Sequence, residues 1–194
     1  MLPNQHQFTS GGPVNQPQNP SRRRFLGRLA SVSALALAAP ATALADREER
    51  VLSFFHTHTS DRLTVPYFAD GSYVPASLAQ LCRFLRDHRT GEEHEIDVPL
   101  FDLLHDLRLA TGAKAPFQVI SCYRSPATNA KLRARGRGVA SRSLHLSGKA
   151  IDVRVGDVSS AVLRDAAKEL SRGGVGYYPK SDFVHLDTGR VRFW

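Results

Sequence analysis

The stretch Ser143-Leu144-His145-Leu146-Ser147-Gly148-Lys149-Ala150-Ile151-Asp152 constrains this chain more than any other. Gly148 and small Ala150 permit a tight turn followed at once by close packing. His145 at a loop end can then face Asp152 on the strand that follows. In that strand Ile151, Val153 and Val155 alternate with Asp152 and Arg154, giving one apolar and one polar face. The alternation repeats at Phe183-Val184-His185-Leu186-Asp187, with Val184 and Leu186 on one side and Phe183, His185 and Asp187 on the other. Two adjacent strands presenting polar faces would bring His145, Asp152 and His185 together. Two imidazoles and one carboxylate form a ligand set for one zinc ion and leave a coordination position open for water. Any one of the three alone reads more simply as part of a polar core. All three in this order, with Gly148 and Ala150 between the first two, favour the metal.

Three further stretches extend the pattern: Leu85-Arg86-Asp87-His88-Arg89-Thr90-Gly91-Glu92, Tyr123-Arg124-Ser125-Pro126 and Gly173-Gly174-Val175-Gly176-Tyr177-Tyr178-Pro179. With S-x-H-x-x-G-x-A-x-D and the strand histidine, they resemble the zinc site of the Hedgehog/D-Ala-D-Ala peptidase fold. The likeness is to its YcbK-like, murein endopeptidase K type branch, and it covers nearly all the chain after residue 50. The expected fold is α+β, an antiparallel sheet with helices packed mainly on one face and a zinc cleft on the other. The resemblance implies hydrolysis of peptide cross-links in peptidoglycan, most like an endopeptidase acting between meso-diaminopimelate residues. A D,D- or L,D-carboxypeptidase trimming stem peptides is the alternative among enzymes. A zinc-containing module that binds a wall peptide or a protein partner is the alternative outside them.

The resemblance also suggests roles. Arg124, after the strand Phe117 to Tyr123, matches an arginine that stabilises a tetrahedral oxyanion, and its planar fork of donors suits that task. Tyr123, its neighbour in the Tyr-Arg pair, is a candidate for substrate contact. Ser143 resembles a serine that hydrogen-bonds substrate near the metal, although a turn hydroxyl explains it equally well. A general base must accept the water proton. Asp182 stands three residues before His185, where related dipeptidases carry glutamate, and ranks slightly ahead of Asp187. Asp187 is instead able to orient a histidine from outside the ligand set, and Asp182 to serve as a turn residue.

Upstream, residues 1 to 20 are rich in Asn, Gln and Pro and read as disordered. Ser21-Arg22-Arg23-Arg24-Phe25-Leu26-Gly27 is a twin-arginine pattern, followed by an apolar run from Leu29 to Leu44. Ala43-Leu44-Ala45 suits cleavage after Ala45, which makes residues 1–45 a signal peptide and 46–194 the zinc peptidase domain. An uncleaved anchor is the alternative, but the run is shorter than the ~20 residues that span a bilayer. The expectation is therefore a periplasmic monomer exported folded by the twin-arginine route, with no stable membrane span after cleavage. The net charge is +8, but residues 1–45 hold four arginines and no acid, leaving 22 basic residues against 18 acidic, or +4. That mild excess suits an anionic polymer such as peptidoglycan. The absence of a basic block with interleaved aromatics argues against nucleic acid.

Elsewhere Val51 to His58 and Arg62 to Tyr67 read as a hairpin or meander, with a turn at Asp70-Gly71. His56 and His58 read as solvated or hydrogen-bonded strand histidines rather than a second metal site. A helix opens at Pro75 and ends near Gly91, and Arg86, Asp87, His88 and Arg89 read most simply as its solvated last turn. A second opens at Pro99 and ends before Gly112. A short helix is expected from about Ser125 to Ala134, and a fourth, from Val158 to Ser171, turns Val162, Ala166 and Leu170 inward. Gly136 to Arg142 is a flexible basic loop. Cys82 and Cys122 are expected as buried free thiols in an oxidising compartment, with a disulfide between them as the alternative.

Overall fold

Alternating burial marks out the strands of this computed structural model, which describes residues 49–136 and 139–194. In β1 (Arg50–His56) the side chains of Leu52, Phe54 and His56 turn inward. β2 (Arg62–Ala69) answers with Val65 and Tyr67, and the Asp70-Gly71 turn, both residues at positive φ, leads into β3 (Ser72–Tyr73). Pro75 opens α1 (Pro75–Phe84), where its missing N–H costs nothing. This helix stops at Phe84, short of the expected Gly91, because the Asp87 carboxylate binds backbone amides and holds residues 85–92 as a loop. α2 (Val98–Thr111) buries Leu100, Leu103, Leu104 and Leu107 and ends at Gly112 in the left-handed region.

β4 (Phe117–Ser121) and α3 (Pro126–Ala134) follow, then a 3-10 turn, Leu144–Ser147, and β5 (Ala150–Val155). α4 (Ser160–Leu170) is capped by the Ser159 hydroxyl, which accepts from the Val162 amide. Of the residues expected to face inward, Ala166 and Leu170 pack against the core and Val162 does not. Leu163 and Ala167 face the sheet, while Val162 is 52% exposed. β6 (Gly174–Tyr178), β7 (Phe183–Asp187) and β8 (Arg192–Phe193) complete the chain.

The eight strands form one sheet in the order β3-β2-β1-β4-β5-β7-β6-β8. The sheet is mixed, which corrects the expected antiparallel one. β1 runs parallel to β4, and β6 parallel to β8. Two helices separate β3 from β4, and such a long connection lets β4 enter beside β1 in the same direction. α1 packs on β2, α2 on β1 and α4, and α4 on β5, β6 and β7. Between these helices and the sheet lies one apolar cluster, including Phe54, Leu81, Leu104, Phe117, Ile151, Val153, Leu163 and Val184. Each such Leu, Ile or Phe contributes about 1.5–3 kcal/mol by leaving water.

Ile151, Val153, Val184 and Leu186 fill that cluster, so the pleat sends Asp152, His185 and Asp187 to the opposite face. The described residues belong to one compact unit. No helix among the described residues is long and apolar enough to cross a membrane. The twin-arginine pattern, the signal peptide, cleavage after Ala45 and the Arg137-Gly138 part of the basic loop lie outside the described residues. Both cysteines are free thiols, Cys122 buried and Cys82 half-buried.

Candidate metal centre and its cleft

Strand register brings the first two site residues together. Asp152 of β5 pairs directly with His185 of β7, so both side chains rise from the same face at neighbouring positions. His145 arrives from the 3-10 turn, which Gly148 closes at a φ of +64°. A Cβ on Gly148 would overlap the Glu95 carbonyl oxygen, so the turn needs glycine for space as well as for conformation.

Three donor atoms converge there. Nδ1 of His185 lies 2.9 Å from Oδ1 of Asp152 and 3.2 Å from Nε2 of His145, and that Nε2 lies 3.3 Å from the same Oδ1. A tetrahedral divalent ion with bonds near ~2.0 Å holds its ligand atoms about 3.3 Å apart, so the donor set fits such an ion. Among the described residues this is the one group of three whose donors converge closely enough to hold a metal ion. The outward nitrogens are also engaged. Nδ1 of His145 meets the Cys122 carbonyl at 2.6 Å, which leaves Nε2 as the lone-pair nitrogen when Nδ1 carries the proton. Nε2 of His185 meets Oδ2 of Asp187 at 3.0 Å. A carbonyl and a carboxylate behind two imidazoles are the partners that fix ring orientation in metal sites.

Electrostatics follow from burial and these contacts. Burial lowers the pKa of His145, against the pull of the Asp152 charge. For His185 burial acts the same way, but hydrogen bonds to the Asp152 and Asp187 carboxylates outweigh it and raise the pKa. Burial alone would raise Asp152 and Asp187; the histidines beside them and the arginines Arg124 and Arg192 hold both carboxyls well below the usual range. Metal binding takes neutral imidazole beside ionised carboxylate, which burial favours at His145, whereas at His185 an ion would have to displace the proton that the raised pKa favours.

Arg124 reaches this centre from the corner between β4 and α3. Its Nη2 donates to Oδ2 of Asp152, and its Nε donates to Ser121 Oγ at 2.8 Å. Ser121 is on this face because β4 is irregular at its end: Val119 pairs with Val153, but Ser121 pairs with Asp152. The extra residue re-aims the strand end, a common use of a bulge. A cavity of about 360 Å³ opens above the donors, lined by Arg124, Arg142, Ser143, Tyr178, Phe183 and Trp194 as well as the three donor residues.

The other expected residues fall differently. Ser143 lines the cavity and caps no helix end with its side chain. Tyr123 is buried and stacks on His94 at 4.7 Å, away from the cavity lining. Asp182 sits at a φ of +49° with its side chain 63% exposed, and its Oδ1 accepts from Ser160 Oγ at 2.8 Å. Asp187 is fully buried: Oδ1 accepts from the Gly174 and Gly189 amides, and both oxygens accept from the Arg192 guanidinium. Neither Asp182 nor Asp187 lines the cavity. His56 Nδ1 accepts the His58 amide at 3.2 Å, a hydrogen-bonded histidine as expected.

The sequence profile of peptidoglycan L,D-endopeptidase MepK matches residues 44–194. The chain belongs to this peptidase family. The peptidoglycan L,D-endopeptidase MepK of Escherichia coli K12 is 41% identical over 177 residues, which cover 90% of this chain and 97% of that protein. The MepK of Shigella flexneri gives the same identity and coverage. A probable peptidoglycan L,D-endopeptidase MepK of Haemophilus influenzae is 41% identical over 146 residues, 75% of this chain and 78% of that protein.

In this family member two site residues escaped sequence reading. β8 runs beside β6, so Arg192 and Trp194 lean over Gly174 and Gly176. Gly176 stands opposite His185, and a Cβ there would come 2.6 Å from the Trp194 ring. The indole packs 5.2 Å from the His185 ring, and its Nε1 donates to the Tyr178 hydroxyl at 2.9 Å. The G-G-V-G run carried the signal: glycines alternating along one strand face leave room for something large to lie across it.

Proposed function

We propose that this chain hydrolyses peptide cross-links of peptidoglycan between meso-diaminopimelate residues, using one zinc ion held by His145, Asp152 and His185. The observation that carries the reading is the convergence of those three donors, each backed by a fixed partner, at the base of an open cavity. The relatives named as peptidoglycan L,D-endopeptidases point to the same substrate. Zinc, when bound, supplies Lewis-acid polarisation of a carbonyl and acidification of water near neutral pH. This chain's own residues do the rest. Cys122 and Asp187 hold the two imidazoles in register, and Asp187 keeps the Nε2 proton of His185. Arg124 stands at the cavity with part of its guanidinium on Asp152, placed to offer donors where a carbonyl oxygen gains negative charge. Ser143 offers a hydroxyl and Arg142 a cation to the carboxylates of a stem peptide. Asp182 serves the start of α4 through Ser160. Such a substrate lies outside the cytoplasm, which agrees with a twin-arginine leader and a periplasmic enzyme.

Purified protein incubated with defined muropeptide dimers, with and without chelator, tests this by mass analysis of products. Monomers appearing only without chelator support the reading; intact dimer under both conditions overturns it. One observation favours a second reading, capture of a wall peptide without cleavage: no carboxylate besides Asp152 lines the cavity among the described residues. Intact dimer that stays bound to the protein would select it.

A further inference from the structure

Residues 85–97, between α1 and α2, form neither helix nor strand, yet they grip the site at two places. At one, the Asp97 amide donates to the Gly148 carbonyl at 3.0 Å, and Asp97 Oδ2 accepts from the Thr188 hydroxyl at 2.5 Å. At the other, they hold the corner that carries Arg124. Three successive amides of that corner are bound by groups outside β4 and α3. The Tyr123 amide donates to Leu85 O at 3.2 Å, the Arg124 amide to His145 O at 3.1 Å, and the Ser125 amide to Asp87 Oδ2 at 2.9 Å.

Asp87 is the unusual member. Its side chain is part of a residue only 1% exposed, and no cation pairs with it among the described residues. A buried charge without an ion pair is costly unless several donors satisfy it. Here Oδ1 accepts from the Arg89 amide at 2.9 Å, Oδ2 from the Ser125 amide, and the Thr128 hydroxyl adds another bond. Its loop is closed around it, with the Asp87 amide on Glu92 O at 2.9 Å and the Gly91 amide on Asp87 O at 2.7 Å. Burial alone would raise the carboxyl, but these donors hold it at about 2. Ser125 is also the N-cap of α3, its hydroxyl accepting from the Thr128 amide at 3.2 Å. One carboxylate therefore ties down both the residue after Arg124 and the first turn of the helix that follows. Asp87 itself does not line the cavity.

We propose that Asp87 is a positioning residue for Arg124: through the Ser125 amide and the first turn of α3 it sets where the Arg124 guanidinium stands over Asp152 and the cavity. The inference rests on the catalytic reading of that cavity. A misplacement of ~1 Å at a reacting centre is enough to cost about 100-fold in rate.

A double-mutant cycle tests it. Asp87→Asn, Arg124→Lys and the double variant are compared with wild type on a soluble muropeptide dimer, under single-turnover conditions so that slow variants are readable. Zinc content and thermal melting are measured alongside. An amide at 87 cannot accept from both backbone donors and the Thr128 hydroxyl as the carboxylate does. Asp87→Asn should lower the cleavage rate about 10- to 100-fold with apparent substrate affinity within about 3-fold and zinc content unchanged. In the Arg124→Lys background the same change should cost no more than about 3-fold. An equal factor in both backgrounds, or a loss of zinc that accounts for the rate, overturns the positioning role. If Asp87→Asn does not fold, Thr128→Val, which removes one donor to the carboxylate and keeps the shape, goes through the same cycle with the same criterion. Wild-type protein that cleaves no dimer would sink the catalytic reading and this inference together. Cleavage by wild type with equal factors sinks the inference alone.

Discussion

The Asp187 carboxylate holds Nε2 of His185 at 3.0 Å while Arg192 closes on the same carboxylate from the other side, Nη2 to Oδ2 at 2.7 Å. The imidazole is thereby turned so that Nδ1 faces Asp152 and His145. Asp187→Ala should cut zinc affinity or cleavage about 10- to 100-fold. It also strands the half-buried Arg192 fork and two backbone amides, and a donor left without its partner costs about 1–3 kcal/mol. The expected result is a variant that melts several degrees lower and loses zinc on dialysis. Wild-type zinc retention would return Asp187 to a purely architectural role.

Among the described residues, no other histidine, cysteine or carboxylate joins His145, Asp152 and His185 in the converging set. Replacement by alanine leaves Asp152 and His185 as the converging donors of the present set. Two protein ligands are one fewer than catalytic zinc sites use. Dialysed His145→Ala should contain no stoichiometric zinc by elemental analysis and should leave muropeptide dimers intact. Full cleavage by this variant would mean that another site does the chemistry.

Asp182 is the carboxylate on which sequence and structure diverge. Its place three residues before His185 suggests a base, but its oxygen accepts from Ser160, and Asn can take the same hydrogen bond and the same left-handed backbone. Asp182→Asn should keep the cleavage rate within about 3-fold of wild type and the melting temperature nearly unchanged, since the Asn carbonyl can still accept from the Ser160 hydroxyl. A loss of about 100-fold or more with zinc still bound would restore it as the general base.

What was legible in the sequence had a period or a fixed spacing. β5 and β7 alternate, so the face shared by Asp152 and His185 could be read directly, and Gly148 announced the turn that delivers His145. The parallel pairing of β1 with β4 could not be read, because it depends on how α1 and α2 cross the sheet. Asp87 was illegible for another reason. In Arg86-Asp87-His88-Arg89 every side chain is polar, and a polar run reads as solvated unless one knows that the Ser125 amide waits for an acceptor. Ser121 reached the cleft only through the irregularity in β4. Both depend on contacts between residues distant in sequence, which no local pattern encodes.

The histidine cluster outside the site yields a pH dependence with a definite sign. His58 and His88 stack at 4.2 Å, and the His56 ring packs edge-on to Phe84 and to His88. Burial first, then His58 and the cations Arg86 and Arg89, lower His56 to about 4. Burial and then Arg89 do the same for His88, also to about 4. Unfolded, an imidazole takes its proton near ~6.5. Between about 6.5 and 4 the unfolded chain therefore binds more protons than the folded one, and stability falls as pH falls through that window, being fully present above it. Asp87, ionised down to about 2 when folded, adds to the fall only at the acid end of that window, where its unfolded carboxyl begins to take a proton. Calorimetry from pH 7.5 to 4 should record a falling melting temperature, and His88→Gln, which removes one of the two groups, should flatten the fall while changing the pH 7.5 value little. Parallel curves for the two proteins would mean that these imidazoles titrate alike in the folded and unfolded states, and that the stack is as wet as a surface histidine.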